Sequence, residues 1–158
     1  MERIEAFSFA TNLGPQDGWP ATTRLFYEHR DTGTDIPGFT IEGQYRCDDG
    51  YLLITSFDCP FEESSEFILL DNEFNKVAQH LLFAPYSSFL LHAHWPIGPR
   101  ALRLHYYTEC FYTLTIRDTN KLLLEHYDAP QGDLQVHASI HDLEKQRRHM
   151  AERFRFAP

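Results

Sequence analysis

Two histidines that lie two positions apart are the residues with the clearest chemical potential in this sequence. His92 and His94 belong to the stretch 90–96, LLHAHWP, whose alternating polarity predicts a β-strand. Alternate residues of a strand point to the same side, so both imidazoles would project from one face of a sheet. Such a pair can hold a metal ion, receive an anion when protonated, or face solvent.

The next predicted strand, residues 101–107, extends this polar face. If the two strands pair antiparallel with their apolar faces matched, Arg103 and His105 join His92 and His94 on one surface. The opposite face of the first strand is predicted to lie in the core, and its residues are Phe89, Leu91, Ala93 and Trp95. This cluster depends on register, because a slip of one residue would move its members to opposite faces.

A metal site formed by His92, His94 and His105 is a weak alternative. Neighbouring strands lie ~4.8 Å apart, so three imidazoles could converge on one ion. However, Arg103 places a permanent positive charge among them, and Glu125 would lie ~14 Å from His92 in a flat sheet. We therefore predict no metal and no cofactor. The cluster is interpreted as a surface for an anionic group of a ligand or of a partner.

Composition and charge narrow the class of protein. The chain has 158 residues, of which 42% are hydrophobic and 15% aromatic, enough for one packed domain over residues 1–158. Its formal net charge of −9 argues against nucleic acid as a partner and favours a protein, for which a basic one would suit best. A homodimer is left open.

The sequence also predicts a cytoplasmic location. The N-terminal stretch lacks the basic start and apolar core of a signal peptide, and no apolar run is long enough to predict a membrane-spanning helix. The three cysteines, Cys47, Cys59 and Cys110, are odd in number and widely spaced, which suits a reducing compartment better than a disulfide framework.

Short alternating runs separated by turn residues predict about eight to ten strands. The predicted strands are residues 4–9, 22–29, 39–47, 51–57, 66–70, 76–83, 89–95, 101–107, 110–117 and 121–127. The segment 31–38, DTGTDIPG, is predicted to be a loop. Strands at this spacing predict an antiparallel β-sandwich or a partly closed β-barrel.

A C-terminal helix is predicted over approximately 140–154. Ser139 and Asp142 form a capping-box pattern, and the apolar residues that follow recur on one helical face. Arg147 interrupts that apolar face, so it is a further candidate for contact with a partner.

Catalytic motifs are missing from the sequence, which shows no P-loop, GxGxxG, GxSxG or HExxH pattern. Cys59 follows a predicted strand, but nothing in the spacing supplies it with a base, so a structural thiol is favoured. The leading hypothesis is a non-catalytic, intracellular protein-interaction domain, such as an adaptor or an immunity-like inhibitor. The alternatives are a β-barrel that binds a small ligand and, less favoured, a metal-dependent enzyme that uses the histidine cluster.

Overall fold

The computed structural model describes residues 1–59, 63–107, 110–118 and 120–127. Its strands are β1 (Glu2–Arg3), β2 (Phe7–Phe9), β3 (Thr22–Tyr27), β4 (Arg30–Pro37), β5 (Thr40–Cys47), β6 (Gly50–Ser56), β7 (Ser65–Leu70), β8 (Lys76–Leu82), β9 (Leu91–Gly98), β10 (Ala101–Tyr106), β11 (Phe111–Arg117) and β12 (Lys121–His126). One turn of 3₁₀ helix spans Gln16–Gly18. The predicted helix over 140–154, which includes Arg147, lies outside the described residues.

The strands form three antiparallel sheets. The largest has the order β1-β5-β6-β7-β8, the second β12-β11-β10-β9, and the third β2-β3-β4. The prediction of a mainly β, antiparallel fold is confirmed. Over the described residues none of the three sheets closes into a barrel.

The five-stranded sheet is the middle layer, because both of its faces are covered. Every residue of β6 and β7 is buried, and their sequences, GYLLITS and SEFILL, are almost continuously apolar. A strand with one wet face would alternate instead. One face carries Leu52 and Phe67 into a core shared with Leu104 of the four-stranded sheet. The other carries Leu53 into a second core with Leu25 of the three-stranded sheet.

The segment that the sequence assigned to a loop is strand β4, and this prediction is wrong. Glu28 and His29 both have positive φ, 47° and 65°, so they form the two-residue hairpin turn that returns the chain onto β3. Asn-Gly and Asp-Gly are the usual signals for such a turn, so the pair Glu-His conceals it. The side chain of Ile36 in β4 is fully buried in the second core. The third sheet therefore adds a third layer to the two layers of a sandwich.

The other hairpins follow the sequence closely. β5 and β6 are joined through Asp48 and Asp49, with Cys47 paired to Gly50. β7 pairs with β8, and β9 to β12, all four of which the sequence predicts as strands, form a four-stranded meander. The turns β5–β6 and β7–β8 of one sheet and β9–β10 and β11–β12 of the other lie at the same end of the first core.

Candidate functional site

A β-bulge in β9 divides the histidine cluster that the sequence predicts. Tyr106 pairs with Leu91, whereas the preceding residue, His105, pairs with Ala93. His92 is therefore the extra residue of β9, and two of its residues oppose one of β10. Because side chains alternate along a strand, every residue after the bulge points to the opposite face from the one that a regular strand would give it.

His94 consequently points inward and Trp95 points outward. His94 pairs with the core residue Leu104 and is only 8% exposed, while Trp95 pairs with Arg103. The prediction that His94 lies on the outer face, with Ala93 and Trp95 in the core, is wrong. The bulge leaves the alternation of polar and apolar letters unchanged, so the sequence does not reveal it.

His94 bridges the two sheets that enclose the first core. Its Nε2 lies 3.0 Å from the main-chain oxygen of Glu42, and its Nδ1 is hydrogen-bonded to the hydroxyl of Tyr45. Since a carbonyl only accepts, Nε2–H is the donor to Glu42, and Nδ1 of the neutral ring accepts from Tyr45. A Cβ at Gly43 would lie 2.7 Å from Cε1 of this ring. Glycine at position 43 is therefore what leaves space for the bridge.

His92 and His105 do lie together on the outer face of the four-stranded sheet. Their ring centroids are 4.8 Å apart and nearly perpendicular. His105 also stacks on Phe111, with centroids 4.3 Å apart, and His92 packs edge-on against Tyr107. His105 is only 7% exposed, so this pair belongs to a packed aromatic group.

Arg103 lies on the same outer face and is held by its neighbours. Its guanidinium carbon is 3.5 Å from the ring centroid of Tyr127, which is close cation–π geometry. Its Nη1 also donates a hydrogen bond to the hydroxyl of Thr113 on β11. Arg103, His92 and His105 therefore share one face as predicted, but the guanidinium of Arg103 contacts Tyr127 and Thr113.

The three histidines proposed as weak metal ligands do not share a face. His94 is inside the sandwich, whereas His92 and His105 are outside it. In the described part of the chain, no group of three or more histidine, cysteine, aspartate or glutamate side chains is placed to hold a metal ion. The bulge alone separates them.

A cleft of about 400 Å³ opens at the turn end of the first core. Its lining residues are Cys47, Asp48, Asp49, Gly50, Leu69, Leu70, Asp71, Val77, Arg100, Ile116, Asp118 and Asn120. Arg100 Nη2 lies 2.8 Å from Asp49 Oδ2 and ties the β9–β10 turn to the β5–β6 turn. Sequence reasoning missed this site. The sequence could have indicated it through the order of the turns, because every second turn of an antiparallel meander lies at the same end of the sheet.

The cysteines differ in environment. Cys47 is 9% exposed beneath the cleft, and burial raises the pKa of its thiol to about 11. Cys59 is exposed, and its main-chain N–H donates to the carboxylate of Glu63 at 2.7 Å. Glu63 is buried and also accepts from the N–H of Phe57, and burial is the main cause that raises the pKa of this carboxyl. Glu63 holds this loop against the sheet.

A row of exposed apolar residues lies along strand β8. Within the described residues β8 is hydrogen-bonded to β7 alone, which makes it an edge strand of the middle sheet. Leu81 lies on one side of it, Val77 is the bulged residue near its start, and Phe83 directly follows it; they are 49%, 36% and 49% exposed. On the opposite side, Ala78 and Leu82 pack against the first core. We call the row formed by Val77, Leu81 and Phe83 the β8 stripe.

Comparison with known proteins adds no assignment, since no family model, curated protein or solved structure matches this chain. In the part of the chain that the structure describes, no helix has the length and apolar character required to cross a membrane.

Proposed function

We propose that this chain is a protein-interaction domain that associates by strand addition at the β8 edge, with a second copy of the chain as the partner. The β8 stripe is the observation that carries this proposal. An edge strand presents main-chain N–H and C=O groups that can pair with another strand, and proteins that stay apart usually protect such edges with charge, proline or a bulge. β8 does have a bulge near its start, at Val77, but it still exposes three large apolar side chains between Val77 and Phe83.

The pattern of β8 suits pairing with itself. In an antiparallel pair centred on Gln79, the bulged residue Val77 of each copy would come close to Leu81 of the other. The two stripes then form one continuous apolar surface across the junction. The only formally charged residue of the strand, Lys76, would lie opposite Leu82, so no like charges meet within the pair.

The expected association is weak. β8 has seven residues, and a single pair of such strands buries less surface than a permanent interface. Two chains that each carry a formal charge of −9 also repel one another at low salt. We therefore expect a dissociation constant in the range of ~10⁻⁶–10⁻⁴ M that decreases as salt rises.

The outer-face cluster supports partner binding less directly. His105 is nearly buried beneath its neighbours and Arg103 is held against Tyr127, so neither presents its polar atoms outward. An adaptor or an immunity-like inhibitor, the roles that the sequence suggests, could use an open sheet edge in the same way. His92 remains a prediction for a second contact surface.

Sedimentation equilibrium tests this proposal on the full chain from about 1 to 200 μM. We expect a reversible monomer–dimer equilibrium that Leu81→Lys shifts toward monomer by at least tenfold, since it places a charge in the stripe. Leu13→Lys is the matched control, because Leu13 is 87% exposed in a loop and the chemical change is the same.

A wild-type chain that remains monomeric throughout this range contradicts the proposal. Equal weakening by the two lysine variants also contradicts it, because the effect would then come from net charge rather than from the stripe. Circular dichroism of both variants checks that the sheet is retained.

A further inference from the structure

The cleft at the turn end of the first core has the chemistry of a second site, which adjoins the β8 stripe at Val77. It is walled by the turns β5–β6, β7–β8, β9–β10 and β11–β12, and it opens between the middle sheet and the four-stranded sheet. Its volume of about 400 Å³ is within the range of small-molecule sites, which is ~300–1,000 Å³. We propose that this cleft binds a small organic cation with an apolar body, such as an aryl-alkyl ammonium.

The inner part of the cleft is apolar and uncharged. Leu69 and Ile116 are both core residues, one from each sheet, and they are 4% and 6% exposed. Cys47 lies beside them, and its buried thiol remains protonated at neutral pH. A ligand would therefore place its hydrocarbon part here, where removal from water is favourable.

The rim of the cleft is negative. Four aspartates line it, Asp48, Asp49, Asp71 and Asp118, and the lining residues include one cation, Arg100. Arg100 is already engaged by Asp49 at 2.8 Å. This field attracts a cation and repels an anion.

The structure defines the ionisation state of Asp71 and the position of Asp118 at this rim. Asp71 accepts hydrogen bonds from the main-chain N–H groups of Glu73 and Asn75 and from the Asn75 side chain. The Asn75 amide is the main cause that lowers the pKa of the Asp71 carboxyl, so it stays ionised at neutral pH. Asp118 lies across the mouth on the β11–β12 turn.

An organic cation fits this rim better than a metal ion. The aspartates come from three different turns and surround the mouth, and among the described residues no three of them are close enough to share an ion. A diffuse negative rim above an apolar floor matches a molecule with a charged head and a hydrophobic body. The head would lie near Asp48 and Asp118, with the body against Leu69 and Ile116.

The test uses two probes of similar size and opposite charge on the full chain. 2-Phenylethylammonium and 3-phenylpropionate are titrated against protein with isotope-labelled methyl groups, followed by NMR. We expect the ammonium to shift the methyl signals of Leu69 and Ile116 saturably below 20 mM, and the carboxylate to leave them unchanged.

Charge-matched variants locate the site. Asp118→Asn should weaken ammonium binding by about threefold to tenfold, as expected for one carboxylate near a cation at a partly solvated rim. Asp17→Asn removes the same charge in the exposed 3₁₀ turn and should leave the affinity unchanged. Equal response to both probes, no saturable shift, or equal weakening by the two variants would overturn the proposal.

This outcome is separable from the association through β8. Leu81→Lys should retain ammonium binding, because Leu81 does not line the cleft. Loss of ammonium binding in that variant would show that the two surfaces are not independent and would overturn the assignment of the cleft as a separate site.

Discussion

At the scale of single residues, His94 shows how polarity can mislead about position. An imidazole is usually placed on a wet face, yet here both ring nitrogens are hydrogen-bonded inside the sandwich. A buried polar side chain is tolerated when its hydrogen bonds are made, and the loss of one partner leaves the other unsatisfied. The bridge exists because position 43 on the facing strand has no side chain.

Gly43→Ala should therefore destabilise the protein by about 1–3 kcal/mol, because the new methyl group overlaps the His94 ring. The same change in a His94→Ala background should cost less than about 0.5 kcal/mol, since the ring is gone. Urea unfolding of the four chains of this double-mutant cycle gives the coupling. Additive losses would show that the space at position 43 serves something other than His94.

At the scale of elements, the turns of the middle sheet are packed as closely as its strands. Gly50 follows the Asp48–Asp49 turn and begins β6, and a Cβ there would lie 1.9 Å from the main-chain oxygen of Leu70 on β7. A main-chain oxygen inside a sheet cannot swing aside as a side chain can. This contact fixes how the start of β6 lies against the end of β7.

Gly50→Ala is expected to lower the free energy of unfolding by about 3 kcal/mol, through overlap with the neighbouring strand. Gly33→Ala is the matched control, because Gly33 also has a positive φ, 77°, and a Cβ at that position meets no atom within 4 Å. Thermal and urea unfolding of the two variants compare them directly. Similar losses would mean that glycine flexibility, rather than the contact with Leu70, is what matters.

At the scale of the whole molecule, burial between stacked sheets changes the pKa values of interior groups, so stability depends on pH. Cys47 lies at the end of the core between two sheets, and burial raises the pKa of its thiol from 9.0 to about 11. The folded state therefore holds this proton at a pH where the unfolded chain has released it. Its stabilising contribution is present below about pH 9 and is lost as pH rises through about 11.

Urea unfolding between pH 8 and pH 11.5 should show this loss as a difference between the wild type and Cys47→Ala. We expect the wild type to lose on the order of 1–2 kcal/mol more than the variant across the window. The variant is the needed control because buried tyrosines, Tyr106 and Tyr112 among them, also have raised pKa values. Parallel pH profiles for the two chains would contradict the assignment to Cys47.

Much of the fold could be predicted from the sequence, because strand and turn signals act over a few residues. Asp48 and Asp49 between two apolar runs specify a hairpin locally, and the meander from β9 to β12 follows from the same rule. The β4 strand was lost because the Glu28–His29 turn adopts positive φ without the usual residues. The apolar run of β6 is typical of a strand buried on both faces, but it does not indicate which sheet covers each face.

The sequence by itself determined most of the strands and hairpins and the acidic character of the chain, because polarity and turn chemistry are local properties. Tertiary structure alone decided that His94 turns inward, since a bulge shifts side-chain direction without changing the order of residues. It alone brought Asp49 and Arg100, 51 positions apart, to 2.8 Å across a cleft. Such sites depend on how sheets stack, and stacking is set by contacts between residues that are distant along the chain.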